Sequence, residues 1–113
     1  MNDNVDALVR QLEPYRRRPG ITAALLISRD GFLVASLADD SFNAEAVAAQ
    51  LGATIDIGAR LAGELGQPAT RFITFELTGL NTVLSPFNED LLLALVGTPD
   101  AIGLDYTLRG GPA

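Results

Sequence analysis

Residues 91–96 read Leu-Leu-Leu-Ala-Leu-Val, an apolar run with no polar residue at alternate positions. A strand with one wet face alternates, so a run of this kind belongs at the centre of a sheet covered on both faces. A sheet covered twice needs three layers. The remainder of the chain must therefore supply two helical layers and the neighbouring strands.

Three helical patterns are present. Val5, Leu8, Val9 and Leu12 recur at i, i+3, i+4 and i+7 within residues 3–17, with Asp3 or Asn4 as N-cap and Arg16-Arg17-Arg18 at the end. Pro19-Gly20 stops that helix. A long helix follows the Asp39-Asp40-Ser41 loop, capped by Ser41 or Asn43, and runs to about Leu65, where Gly66 and Pro68 end it. A third helix is expected from Thr98-Pro99-Asp100, with Thr98 as cap and Pro99 at the first helical position, continuing through Leu104 and Leu108 to Gly110.

Between the helices lie strand signals. Residues 21–28 are nearly all apolar, and Asp30-Gly31 supplies two positive-φ positions for a tight hairpin to residues 32–37. Residues 70–77 and 80–85 are rich in Thr, Phe, Ile and Val and are joined by Thr78-Gly79; a polar connection at 86–90 then leads to the central run. The expected fold is α+β: a three-layer α/β/α sandwich. Its sheet is five-stranded and mostly antiparallel, with the long helix on one face and the two terminal helices on the other. At 113 residues and 11.9 kDa, residues 1–113 form a single domain.

Composition removes most enzymatic readings. The chain has no Cys and no His, which excludes thiol catalysis, cysteine-bound zinc or iron–sulfur clusters and the commonest general base. Gly58, Gly63 and Gly66 fit neither a GxGxxG nor a Walker pattern, and no Gly-x-Ser-x-Gly elbow is present. The net charge of −6, with 8 Arg and no Lys, opposes nucleic acid and anionic lipid as partners. Arg16-Arg17-Arg18 is read as cations complementing a helix C-terminus, and Asn88-Glu89-Asp90 as a turn. The N-terminus opens Met1-Asn2-Asp3-Asn4 without an apolar stretch behind it, so the expectation is a cytoplasmic chain with no membrane contact, no cofactor, no metal and no catalytic residue.

The long helix is the most informative segment. Val47, Leu51, Ile55, Gly58, Ala62 and Leu65 gather on one arc, which should face the sheet. Ala46, Ala53, Ile57 and Leu61 form a second apolar arc, interrupted by Gln50 and Thr54, while Asp56, Arg60 and Glu64 make an i, i+4, i+8 charged row between the two. One sheet face offers one partner, so the second arc needs another. Residues 71–76 also alternate with no Lys or Pro among them, and at a sheet edge such a strand should pair with a second chain. The expected dimer or partner interface is accordingly Ala46, Gln50, Ala53, Ile57, Leu61, Phe72 and Thr74, in a homodimer.

The chain resembles the roadblock/dynein light chain family, which includes bacterial GTPase regulators of the MglB type. The resemblance rests on Pro19-Gly20-Ile21 leading into Ala24-Leu25-Leu26-Ile27-Ser28-Arg29-Asp30-Gly31, then Val34-Ala35-Ser36, the Ala-rich helix, Leu92-Leu93-Ala94-Leu95, and Gly103-Leu104 before Leu108-Arg109. It implies the same roadblock, profilin-like sandwich, and dimers built from the long helix and the third strand. It further implies a non-enzymatic adaptor or activating partner of a small Ras-like GTPase, with Asp56, Arg60 and Glu64 as candidate GTPase contacts. The rival expectation is a small-molecule-sensing or scaffold module of similar fold with no GTPase partner, which a pocket with converging polar groups would favour.

Overall fold

The computed structural model describes residues 3–102, and their elements follow the expected order. They are α1 (Asp3–Arg16), β1 (Ile21–Ser28), β2 (Leu33–Ala38), α2 (Ala44–Glu64), β3 (Ile73–Glu76), β4 (Asn81–Pro86) and β5 (Leu91–Gly97). The strands form one sheet in the order β2-β1-β5-β4-β3, and every pairing is antiparallel. The apolar run of β5 thus lies in the middle strand.

Alternation along the inner strands divides the core in two. Ala24 and Leu26 of β1 and Leu93 and Leu95 of β5 point to the face covered by α1, where Leu12 is fully buried. Leu25 and Ile27, with Leu92 and Ala94, point to the opposite face and meet Ala48 and Leu51 of α2. Two successive residues buried in opposite directions are what a run without polar alternation requires. Residues 98–102 form a turn in which the Ala101 and Ile102 amides donate to the Thr98 carbonyl. The rest of the expected third helix, from residue 103 on, lies outside the described residues.

The ends of α2 follow from local chemistry. The Asn43 side chain accepts a hydrogen bond from the Ala46 amide at 3.1 Å and so serves as N-cap. At the other end Gly66 has φ 71°, the Gln67 amide donates to the Ala62 carbonyl and the Gly66 amide to Gly63, a Schellman closure.

Three local expectations are corrected. Only Gly31 of the Asp30-Gly31 pair has positive φ, because the turn is a Ser28–Gly31 reverse turn followed by one left-handed glycine rather than a two-residue mirror-image turn. Leu65 is 65% exposed and not in the core, since the helix ends at Glu64 and the closing turn carries Leu65 off the sheet. The third strand is four residues long and not the eight expected from 70–77.

Candidate functional site, an apolar trough beside an edge strand

The strand order makes β3 an edge, paired only with β4. Beside it α2 leaves part of the sheet uncovered, opening a trough between helix and edge strand. Toward the C-terminal end of α2 the trough is about 530 Å³ and is lined by Ile57, Gly58, Leu61, Leu65, Phe72 and Phe75, among others. Toward the N-terminal end it is about 410 Å³, with Ala46, Val47, Gln50, Leu77 and Thr82 in its walls. Thr54 and Phe75 line both parts, so the trough is continuous.

Exposed apolar side chains concentrate there. Of the eight large hydrophobics exposed among the described residues, Ile57, Leu61, Leu65, Phe72, Phe75 and Leu77 line the trough; Phe32 and Leu80 do not. Scattered exposed leucines are ordinary, whereas a contiguous apolar strip marks a surface that is covered in use. The Arg71 guanidinium lies 5.4 Å from the Phe72 ring centroid at the rim, a cation–π contact.

The expected interface residues separate into two groups. Ala46, Gln50, Ile57, Leu61 and Phe72 come together in the trough walls. Ala53 is exposed on α2 but lines neither part, and Thr74 pairs with Val83, whose side chain packs on the α1 side of the sheet. Alternation therefore turns Thr74 away from α2 and turns Ile73 and Phe75 toward it. Phe75 and Leu77 also line the trough, as do Thr54, expected as an interruption of the second arc, and Leu65, expected on the sheet-facing arc. The two-residue spacing puts Phe75 on the same face as Ile73, but only the structure shows that this face meets α2; Phe72 precedes the strand and does not report its phase.

The charged row lies on the outer face of α2. Asp56 and Arg60 form an i, i+4 ion pair at 2.9 Å with both side chains well exposed, and Glu64 is exposed one turn on. Among the described residues no cluster of His, Cys, Asp or Glu could hold a metal ion, and no helix is long and apolar enough to cross a membrane.

The all-antiparallel sheet, the helices on its two faces and the trough beside β3 define an α+β domain of the roadblock class. The Roadblock/LC7 domain model matches residues 8–97, and the chain belongs to that family. None of the curated proteins matches it by sequence. Among solved structures it is similar to MglB with a tetrameric arrangement, at 23% identity and TM-score 0.80, over 97% of this chain and 84% of that one. The gliding protein MglB from Thermus thermophilus gives 23% identity and TM-score 0.79 over the same shares. A Roadblock/LC7 domain from Streptomyces avermitilis gives 22% and 0.66, over 87% of this chain and 78% of that one. At such identities the likeness establishes the fold.

Proposed function

We propose that the protein is a homodimeric, non-enzymatic adaptor or regulator of a small Ras-like GTPase, acting in the cytoplasm. The observation that carries this reading is the coincidence of the apolar trough with the unpaired edge of β3. A second copy can bury the trough with its own α2 and pair its own β3, which satisfies apolar surface and backbone groups together in an isologous contact. Similarity to MglB, one structure of which is described as a tetrameric arrangement, supports self-association. Membership of the roadblock family supports a GTPase as the further partner, and the outward row of Asp56, Arg60 and Glu64 is the candidate surface for it.

The trough speaks against a small-molecule sensor. Its walls are mainly aliphatic and aromatic, and its polar residues, Asn43, Gln50, Thr54, Gln67, Thr70 and Thr82, are uncharged and divided between the two ends of the trough, with no charged group among them. The test is sedimentation at low micromolar concentration, where the expected mass is about 24 kDa, twice the 11.9 kDa chain. A clean 11.9 kDa monomer would overturn the reading. Nucleotide turnover by a small Ras-like GTPase is then measured with the protein present and absent. The protein alone should hydrolyse none, since it has neither a Walker loop nor a Lys to reach phosphate.

A further inference from the structure

The sheet has a second edge, β2, on the far side from the trough. Its sequence, Leu33-Val34-Ala35-Ser36-Leu37-Ala38, contains no charge and no Pro, two of the usual devices that blunt an edge. An irregularity in its register falls beside Val34, but Ala35 to Ala38 pair regularly with Leu26 to Ala23. Helices flank both sides of this strand, and each leaves a groove along it. On the α1 side the groove is lined by Glu13, Arg16, Arg17 and Leu37. On the α2 side Leu33, Ser36 and Phe42 line it together with Asp40 and Glu45.

The two grooves differ in charge. On the α1 side Arg16 is engaged by Asp39 at 3.1 Å and by the Ile21 carbonyl at 3.2 Å, while the exposed Arg17, whose Nε donates to the Glu13 carbonyl at 3.4 Å, stands beside the exposed Glu13 carboxylate, so that arginines outnumber acids in that lining. Asp40 and Glu45 are exposed on the other side. A strand added to β2 sends successive side chains to opposite faces, hence one into each groove. We propose that the β2 edge accepts an extended segment of a partner protein as a sixth strand, with an acidic side chain facing Arg17 and the next, basic one facing Asp40 and Glu45. A second copy does not fit, because its own β2 has no charged side chain to offer either groove. This surface is separate from β3 and holds whether or not the proposed dimer forms.

The probe is an acetylated, amidated and fluorescently labelled hexapeptide, Thr-Val-Glu-Lys-Val-Thr, titrated against the full chain with backbone amide resonances recorded. Saturable binding is expected, with shifts concentrated at residues 35–38. A peptide N-methylated at its two central amides, which blocks both of its edges, should not bind. Arg17→Glu should weaken binding about fivefold, and replacing the peptide's Glu with Lys should restore it, since an exposed ion pair of this kind has about that effect. Equal binding of the methylated peptide, shifts at residues 73–76 instead, or no saturation by millimolar peptide would each overturn the proposal. Assembly beyond a dimer that the peptide disperses would assign the edge to a second copy and overturn it as well.

Discussion

Gly52, midway along α2, meets Gly31 at the tip of the β1–β2 turn backbone to backbone: a Cβ built at position 52 would stand 2.5 Å from the Gly31 Cα. Gly31 has φ 91° as well, so the turn needs glycine there for its conformation and for the approach. The contact draws one flank of α2 against the hairpin. Thr54, Ile57 and Leu61 leave the helix on the other flank, toward β3. A close approach on one side of the helix thus sets where the trough opens on the other.

Substituting Gly52→Ala tests that contact. Helix propensity alone favours alanine by about 1 kcal/mol, but the new methyl meets backbone that cannot rotate away, and overpacking of this kind costs about 1–3 kcal/mol. Net destabilisation is expected in urea. Gly63→Ala, in the same helix with nothing within 4 Å of its built Cβ, should instead gain about 0.5–1 kcal/mol. Equal stabilisation by both variants would show that hairpin and helix are not locked together.

The layers and strand types were legible because each rests on a local period: 3.6 for α2, continuous burial for β1 and β5, and turn residues between them. The Asn43 cap could be narrowed to two residues, and the structure selects between them. The phase of β3 was not legible, because a four-residue strand preceded by the non-strand Phe72 and followed by Leu77 gives alternation too little length to distinguish Thr74 from Phe75. Ala48, fully buried, also escaped the helical-arc reading, since a methyl contributes little to an apolar moment. The Gly31–Gly52 approach joins residues far apart in sequence and leaves no periodic trace.

Asn81 offers a test of the other face of the sheet. It is 1% exposed, its Nδ2 donates to the Ile102 carbonyl, and its Oδ1 has no hydrogen-bond partner among the described residues. Asn81→Asp exchanges the donor for an acceptor facing that carbonyl and buries a carboxylate, a change worth about 3 kcal/mol or more of lost stability at neutral pH. Burial raises the folded-state pKa of the introduced Asp above its unfolded value of about 3.9. The loss should therefore grow as pH rises above that value and shrink as pH falls toward it. Urea melts of parent and variant at pH 4 and pH 7 read the difference, and a gap that does not widen with pH would remove the buried-carboxylate argument.

The trough itself is tested by charges placed at two depths of one helix. Ile57 and Leu61 are 63% and 57% exposed, so Ile57→Asp and Leu61→Arg should leave far-ultraviolet dichroism unchanged. Each should weaken the proposed dimer by about 1.5–3 kcal/mol, the scale of burying one such side chain, and weaken GTPase binding where that depends on the dimer. Leu51→Asp, only 5% exposed and packed against the sheet, should unfold or aggregate the protein because it buries an unpaired carboxylate. The strand supplies a second contrast: Phe75→Asp should disrupt self-association, whereas Thr74→Asp, on the opposite face, should disrupt it less. Equal effects at 74 and 75 would mean that pairing of the β3 edge, and not burial of the trough, holds the two copies together. An intact dimer in all four surface variants would make the trough ordinary surface and leave the adaptor reading without its physical support.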